Sequence, residues 1–228
     1  MKIGDNIENE FNAFSSNYTN DMIKCVPHYL ELISSFSKDL PENFNPSLIL
    51  DLGCGNGNVT SSLLELYPRS TYVLLDASQQ MLDLCKHQFK SFDVEYIKTY
   101  FQDYKFEDDH FDMINAGFSI HHCDPDEKKT LFKSIYSSLK KGGVFGYSDL
   151  MINKDNPYHL TLLKEWKAFV NKNYSDGEMW NWLMEHYDEF DQPNDHQIQI
   201  KWLEQTGFKN NHYITKEDHW VHIRSIKE

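Results

Sequence analysis

Arginine is scarce in this chain, and that scarcity limits the partners it can recognise. Only Arg69 and Arg224 carry a guanidinium among 228 residues, and the formal net charge is −13. Guanidinium groups bind phosphates and carboxylates through paired hydrogen bonds, and nucleic-acid binding depends on Lys and Arg that neutralise phosphates. The composition therefore argues against DNA or RNA as the main partner, while leaving open a local basic patch.

Long apolar runs and paired cysteines are also missing. The first residues, MKIGDNIENEFNAF, contain no apolar run of the signal-peptide kind, and no stretch approaches the roughly 20 apolar residues of a membrane-spanning helix. The cysteines at positions 25, 54, 85 and 123 form no CxxC pair. These absences predict a reduced, cytoplasmic protein with no membrane partner.

What the chain does have is an alternation of strand-like and helix-like segments. Apolar runs predict strands at 48–52, 71–76, 94–98, 111–117 and 144–150, and helical spacing predicts helices at 58–67, 78–90 and 126–139, the last ended by KKGG. This alternation predicts an α/β fold with a doubly wound parallel sheet and a ligand at the carboxyl ends of its strands. After them we expect helices within 157–190, a helix ended by Gly207, and a hairpin at the sheet edge.

Three alternate glycines follow the first strand, in the stretch DLGCGNGN. Gly53, Gly55 and Gly57 can adopt positive φ and lack a Cβ, so a ligand can lie against bare backbone. The dinucleotide pattern GxGxxG fails at Asn58, and the lysine of the P-loop is missing. The turn therefore predicts a small-molecule site that is not built around phosphates, which disfavours a dinucleotide oxidoreductase.

Two acidic residues follow the next strands. Asp76 lies 19 positions after Gly57, near the spacing at which a βαβ unit places a carboxylate on a ribose. Asp76 could instead cap the next helix beside Ser78. Asp103 follows the third strand, where a carboxylate can accept from the amine of adenine or simply stabilise a turn.

Taken in order, these motifs resemble one enzyme family. ILDLGCGNG, LLDAS, FQDYKF, FDMINAGFSIHH and LKKGGVFGYSDL, over about residues 11–150, are similar to class I S-adenosylmethionine-dependent methyltransferases. The resemblance implies a seven-stranded, mostly parallel Rossmann-like sheet with one antiparallel edge strand and a helical cap. It also implies S-adenosylmethionine as cofactor and in-line methyl transfer to an oxygen, nitrogen or carbon of a small molecule. NAGF stands where DNA base methyltransferases carry a proline-aromatic motif, which disfavours that class.

The resemblance also implies which residues contact the cofactor. The loop would pass under methionine and ribose, Asp51 would lie near the amino group, and Asp76 would hold the ribose hydroxyls. Tyr18, in FNAFSSNY (11–18), would approach the cofactor, with Thr19 where the family often has Asp. The full implied set is Tyr18, Asp51, Gly53, Cys54, Gly55, Gly57 and Asp76, then Ala77, Met81, Asp103 and Tyr104 around the adenine, and Asn115 and Ala116 on the methyl-donor side.

The whole chain then divides as one domain with four parts. Residues 1–47 form an N-terminal helical segment, 48–150 the cofactor-binding core, 151–195 a helical cap, and 196–228 a final helix and hairpin. The cap is rich in aromatic residues and carries seven acidic residues and no Lys or Arg from Tyr174 to Asp195. It could cover a cationic substrate through cation–π contacts, or be two amphipathic helices with a solvated acidic face.

His121 and His122 follow the fourth strand and are the candidate catalytic residues. A neutral imidazole there can take a proton from a hydroxyl or amine, although similar pairs in the family shape the pocket without proton chemistry. We expect no metal, because adjacent side chains in His121, His122, Cys123 and Asp124 should not converge on one ion.

Two other functions compete with methyl transfer. NDMIKCVPHY (20–29) resembles the N-terminal helix of carboxy-S-adenosylmethionine synthases, but such enzymes need a cationic group for the added carboxylate, and arginine is scarce. A nonenzymatic S-adenosylmethionine-binding regulatory module would keep the cofactor contacts and lose the acceptor pocket. The sequence leaves open whether the chain is a monomer or a homodimer.

Overall fold

The computed structural model describes residues 17–228, so residues 11–16 of the tyrosine-bearing segment lie outside the described part. The helices are α1 (Tyr18–Cys25), α2 (Tyr29–Ser35), α3 (Asn58–Leu64), α4 (Gln79–Gln88), α5 (Pro125–Ser138), α6 (His159–Asn171), α7 (Glu178–Phe190) and α8 (His196–Thr206). The strands are β1 (Leu48–Leu52), β2 (Thr71–Asp76), β3 (Val94–Lys98), β4 (Phe111–Gly117), β5 (Leu139–Leu150), β6 (Lys209–Lys216) and β7 (Trp220–Ile226). None of these helices has the length and apolar content needed to cross a bilayer.

All seven strands form one sheet in the order β3-β2-β1-β4-β5-β7-β6. The first five pair in parallel, and β7 runs antiparallel to both of its neighbours. The predicted seven-stranded, mostly parallel sheet is confirmed. The antiparallel strand that we expected at the edge is β7, which lies one place inside it, because the hairpin pairs β7 with β5 and leaves β6 outermost.

Two apolar layers cover the sheet. Side chains on one face, such as Ile49 and Met113, pack with α1 to α4 and with the cap helices α6 and α7. Side chains on the other face, such as Leu50 and Ile114, pack with α5 and α8. Chain order reverses between β1 and β4, and ligands of doubly wound sheets bind at that reversal, beyond the carboxyl ends of the strands.

The end of α5 differs from the expectation. The helix begins with a capping box between Asp124 and Glu127, but it ends at Ser138, before the KKGG run that we expected to stop it. Residues 140–143 lie in β5 instead. The register between β4 and β5 shifts after Phe111 pairs with Leu139, and Gly142 absorbs the irregularity with a φ of 79°.

Candidate active site

The loop between β1 and α3 holds the three glycines at the carboxyl edge of the sheet. The Gly53 N–H donates to the Leu75 carbonyl at 2.8 Å, which fixes the loop against the end of β2. Gly53 and Gly57 have φ of +65° and +87°, and a Cβ there would lie 2.5 Å from Ser119 Cβ and 2.4 Å from the Phe89 ring. Packing within the protein therefore requires glycine at positions 53 and 57, whether or not a ligand binds. The sequence motif alone does not show this requirement.

The middle glycine faces an aromatic ring. A Cβ on Gly55 would lie 3.6 Å from the ring of Tyr18, which covers the loop from α1. The neighbouring Thr19 hydroxyl accepts from the Asn56 amide at 2.6 Å and donates to the Asn58 amide oxygen at 3.1 Å. Asn58, where a dinucleotide loop would carry glycine, therefore fastens α1 to this loop.

Asp76 lies at the rim of the same loop. Its two carboxylate oxygens accept from the backbone N–H groups of Gly55 and Ser78, each at 2.8 Å. The N-cap of α4 is Ser78, whose hydroxyl accepts from the Met81 N–H at 3.2 Å. Asp76 thus fixes the loop to the turn after β2, and the capping role considered for it belongs to its neighbour.

Asp51 is a buried carboxylate next to the loop. Its side chain is 1% exposed, and one oxygen accepts from the Thr60 hydroxyl at 2.6 Å. The other oxygen, Oδ1, accepts no hydrogen bond within residues 17–228. Burial raises the pKa of Asp51 to about 7, with the Thr60 hydrogen bonds acting against it. A ligand ammonium would satisfy the orphaned oxygen and favour its charged form.

Of the four side chains predicted around the adenine, two lie close to Asp76 and two lie in the turn after β3. Ala77 is half-buried and Met81 is buried, and both adjoin Asp76 through the Ser78 turn. Asp103 is exposed in the turn after β3, and Tyr104 packs edge-on against Phe106 with ring centroids 4.8 Å apart. The structure therefore leaves the Asp103 carboxylate at the surface.

Asn115 and Ala116 point to opposite faces of β4. Asn115 is fully buried and lies level with Asp51 on β1 and with Gly146 on β5. Neither polar atom of its side chain has a hydrogen-bond partner in the described part of the chain. The Ala116 side chain packs in the apolar layer with α5 and α8, so only Asn115 presents its side chain on the Asp51 face.

A mainly apolar cavity of about 100 Å³ opens next to the glycine loop. Tyr18 contributes to both, because its ring covers Gly55 and also lines the cavity. The walls come from α1, the turn after β4, the end of β5, the cap helices and β7. The lining includes Met22, Val26, Phe118, Leu150, Trp166, Trp182, Leu183 and Trp220, with His121, Asp149, His186 and Asp191 at a polar end.

The aromatic residues of the cap serve two purposes. Trp166 and Trp182 line the cavity, whereas Trp180, Tyr187 and Phe190 are buried. Trp166 holds these groups together, with the Trp180, Tyr187 and Trp220 rings all edge-on to it at 5.4–5.8 Å. Most of the predicted aromatic cap is therefore packing, and part of it faces a ligand space.

The four residues of the polar end and His122, whose ring lies beside His121 with centroids 4.1 Å apart, form a group that we call the His–Asp cluster: His121, His122, His186, Asp149 and Asp191. Asp149 accepts from the backbone N–H of His121 at 2.9 Å and from its ring Nδ1. Asp191 Oδ1 is faced by His121 Nε2 at 3.6 Å, His122 Nδ1 at 3.3 Å and His186 Nε2 at 3.6 Å. The expectation that adjacent histidines would not converge is wrong, because the turn at 120–122 directs both rings to Asp191.

The two carboxylates control the charge of His121. Burial alone would lower its pKa, but Asp149 and Asp191 outweigh burial and raise the pKa to about 9. Burial and the neighbouring His121 lower the pKa of His122. Burial favours a raised pKa for Asp191, but the three histidines, His121 first, hold it at about 2. The predicted base His121 is therefore a protonated imidazole at neutral pH when it stands between these carboxylates.

Three members of the His–Asp cluster were not predicted. Asp149 ends a predicted strand at the ligand edge of the sheet, so a local signal for it existed. His186 and Asp191 reach the site only through the packing of α7 and the loop after it, and no local pattern marks them. Sequence reasoning identified the two members that follow β4, and it missed the one near the end of β5 and the two that the cap supplies.

Comparison with known proteins shows that this chain is similar to methyltransferases in sequence and in fold. A family model described as a methyltransferase domain matches residues 49–143. The match covers most of the sheet that carries the glycine loop, and the chain has the fold of class I methyltransferases. The match and the fold agree with the predicted S-adenosylmethionine-dependent enzyme and its S-adenosylmethionine cofactor.

Solved structures share the whole fold. Human N-acetylserotonin methyltransferase in complex with S-adenosylmethionine is 17% identical, with a TM-score of 0.64 over 96% of this chain and 56% of that one. A Thermotoga maritima protein described as a possible histamine N-methyltransferase is 15% identical, with a TM-score of 0.65 over 97% of this chain and all of that one.

Curated proteins that this chain resembles include two kinds of enzyme. Carboxy-S-adenosyl-L-methionine synthase of Helicobacter hepaticus is 28% identical over 152 residues, which span 62% of each chain. The Campylobacter fetus synthase is 25% identical over 74% of this chain and 71% of its own length. A phthiotriol/phenolphthiotriol dimycocerosates methyltransferase of Mycobacterium tuberculosis is 27% identical over 47% of this chain and 39% of its own. This chain thus spans less than two thirds of the length of the first and third.

Proposed function

We propose that this protein methylates a small molecule that binds in the apolar cavity, beside a methyl donor on the glycine loop. The observation that carries the proposal is the double position of Tyr18, which covers Gly55 and lines the cavity. An acceptor in the cavity therefore lies next to the donor site, with one side chain in common. In this function the chain acts as one unit, made of the core 48–150, the cap 151–195 and the flanking segments 1–47 and 196–228.

Each part of the donor site has a proposed task. Asp76 holds the ribose hydroxyls, Asp51 Oδ1 accepts from the amino group, and the loop backbone from Gly53 to Gly57 lies under the ligand. When bound, S-adenosylmethionine supplies a methyl carbon that is activated by its sulfonium. The residues of the chain then have to align the acceptor with that carbon and exclude water, and orientation of this kind can lower a barrier by roughly 7–11 kcal/mol.

The cavity walls favour an acceptor with a flat apolar body and one nucleophilic heteroatom. Trp166, Trp182 and Phe118 would pack against the body, and the heteroatom would point to the His–Asp cluster. Because the pKa of His121 is raised, we assign this histidine to positioning the heteroatom at neutral pH, and we do not assign it the removal of a proton.

Filling the cavity tests the acceptor site separately from the donor site. Leu183→Trp places an indole in the cavity, and Leu160→Trp places one on the neighbouring cap helix, where Leu160 is 77% exposed. The substrate panel would be a phenol, a thiophenol and an arylethylamine, with methyl transfer followed by a labelled donor. We expect Leu183→Trp to lower turnover at least about tenfold, while S-adenosylhomocysteine still raises its melting temperature and the control is unaffected.

Two results would overturn the proposal. The first is a folded wild-type protein whose melting temperature does not rise with S-adenosylhomocysteine. The second is methyl transfer by Leu183→Trp at the wild-type rate, which would place the acceptor outside the cavity. If the protein binds the donor but transfers its methyl group to none of the acceptors, and the donor only reacts slowly with solvent, the result would favour the nonenzymatic S-adenosylmethionine-binding regulatory module.

Carboxy-S-adenosylmethionine synthesis is the second candidate, favoured by the two synthase relatives. Such an enzyme needs a cation for the added carboxylate. Arg224 donates to the backbone carbonyls of Asp39 and Ser35, and Arg69 is exposed in the turn before β2. The cavity lining in the described residues contains no Lys or Arg. Mass spectrometry of cofactor that co-purifies with the protein separates the candidates, because a carboxylated donor would favour the synthase.

A further inference from the structure

We propose that the polar end of the cavity is a binding site for a divalent transition-metal ion. The ligands are His121 Nε2, His122 Nδ1 and Asp191 Oδ1, and His186 Nε2 lies within reach as a fourth. The inference goes beyond the proposed function, because it concerns an ion that the donor site does not require. It rests on geometry that three separate segments of the chain create.

The separations within the cluster are those of a ligand shell. Ligands held tetrahedrally about 2.0–2.1 Å from a zinc ion lie about 3.3–3.4 Å from one another. The His122, His121 and His186 nitrogens lie 3.3, 3.6 and 3.6 Å from Asp191 Oδ1. These distances lie beyond the usual 2.7–3.2 Å of an N–H···O hydrogen bond, the His122 contact only slightly. The ligand atoms of His121, His122 and Asp191 all lie within 4.8 Å of one another.

Asp149 provides the support that metal-binding histidines usually have. A ligating imidazole commonly gives its second ring nitrogen to a carboxylate, which fixes the ring and makes the ligand more basic. Asp149 contacts His121 Nδ1, so the free face of that ring is Nε2, the atom that points to Asp191. The same carboxylate also holds the His121 backbone N–H. One ligand is therefore oriented before any ion arrives.

Asp191 is held just as firmly from the other side. The Gln192 N–H donates to the His121 carbonyl at 2.7 Å, which joins the loop after α7 to the turn after β4. Lys128, buried on α5, donates to the Gln192 carbonyl and to the Asn194 side-chain oxygen. The loop that carries Asp191 is thus anchored on both sides, and both ligand segments are preorganised.

The donor atoms indicate the kind of ion and the kind of acceptor. Imidazole with one carboxylate suits Zn²⁺, Fe²⁺, Co²⁺ or Ni²⁺, whereas Mg²⁺ and Ca²⁺ prefer oxygen ligands. His121 has to release its proton to bind the ion through Nε2. Asp149, Asp191 and Lys128 then together leave one negative charge, and a divalent ion would turn this into one positive charge. An acceptor that releases its proton to solvent on binding, such as a thiol or a phenol, would neutralise it. A bound ion would lower the pKa of that acceptor and make it the nucleophile.

Metal binding can be measured without any methyl transfer. Protein that carries no polyhistidine tag is stripped with a chelator and titrated with Co²⁺ or Zn²⁺ alone. Metal content is then measured after desalting, and the visible absorption of bound Co²⁺ reports its coordination. We expect one equivalent per chain with low-coordinate Co²⁺ absorption. Asp191→Asn and His122→Gln should weaken binding at least about tenfold, and Asp149→Asn by roughly 10–100-fold.

Matched variants separate this site from nonspecific binding. Asp188→Asn removes an exposed carboxylate from the same cap helix, and His87→Gln removes an exposed imidazole from α4. Both should bind Co²⁺ as the wild type does. The proposal is overturned if the wild type retains no metal, or if Asp191→Asn and His122→Gln, shown to be folded by circular dichroism, bind as tightly as the controls. S-adenosylhomocysteine binding by the same variants should be unchanged, so failure of the metal site is distinguishable from failure of the donor site.

Discussion

The proposed donor side and the proposed acceptor side of this protein are built in different ways. The donor side comes almost entirely from one stretch, Asp51 to Asp76, in which a strand, a glycine loop, a helix and a second strand follow one another. The acceptor side takes its walls from α1, the turn after β4, the end of β5, both cap helices and β7. The first depends on local backbone geometry, whereas the second depends on how distant segments pack.

This difference has a consequence for what each side tolerates. A local loop has its shape set by a few backbone torsions and hydrogen bonds, so a single atom can disrupt it. A cavity assembled from six segments is defined by side chains that can be exchanged while the sheet keeps its form. Changes on the donor side should therefore be the more damaging.

Removing the carboxylate at the loop rim should give the largest loss. Asp76→Ala removes the acceptor proposed for the ribose and also the bonds to the Gly55 and Ser78 N–H groups. Hydrogen bonds to a charged group contribute about 1.5–3 kcal/mol each, so we expect S-adenosylhomocysteine to bind at least about 100-fold more weakly. Isothermal titration calorimetry on the folded variant measures this loss.

Asp103→Ala is the matched control, because it removes a carboxylate that was also assigned to the cofactor but lies exposed after β3. We expect less than about a threefold change in affinity. If both variants bind S-adenosylhomocysteine as tightly as the wild type, the ribose is not held at Asp76. If both lose binding, Asp103 reaches the adenine when the ligand is present, and its exposed position here does not describe the complex.

The second prediction concerns the stability of the loop itself. Gly57→Ala places a Cβ 2.4 Å from the Phe89 ring at a φ of +87°, whereas Gly177→Ala meets nothing within 4 Å at a nearly equal φ of +80°. The shared torsion costs about 1–2 kcal/mol, and the clash should add roughly 1–3 kcal/mol to Gly57→Ala alone. Urea unfolding of both variants measures the difference, and equal losses would show that Phe89 yields without cost.

The same difference explains what the sequence could reveal. The glycine loop, Asp76 and the strands around them follow from local patterns, and the parallel sheet follows from the alternation of strands and helices. Asp191 and His186 carry no such pattern, because only the packing of α7 against the turn after β4 brings them to His121 and His122. Ala116 is a local case, because the alternation along β4 that puts Asn115 on the Asp51 face puts the Ala116 side chain on the far face. Local geometry could be inferred, whereas nonlocal packing could not.

The smallest expected effect is a pH dependence that belongs to the donor side. Burial raises the pKa of Asp51 to about 7, so the unliganded protein binds a proton there that the unfolded chain releases near pH 4. The stability that this proton contributes is greatest below pH 4 and is lost as pH rises to 7. A ligand ammonium beside Oδ1 favours the charged carboxylate, so cofactor binding should lower the pKa of Asp51 and release its proton.

Affinity for S-adenosylhomocysteine should therefore rise about eightfold between pH 6 and pH 7.5, as one proton with a pKa near 7 is released on binding. Calorimetry in buffers of different ionisation enthalpy counts that proton directly. Asp51→Asn keeps the shape and the Thr60 contact but cannot titrate, so it should bind more weakly and with a flat pH profile. A wild-type profile that is also flat would mean that the amino group lies elsewhere, and that the orphaned oxygen of Asp51 belongs to the packing of β1 and not to the donor site.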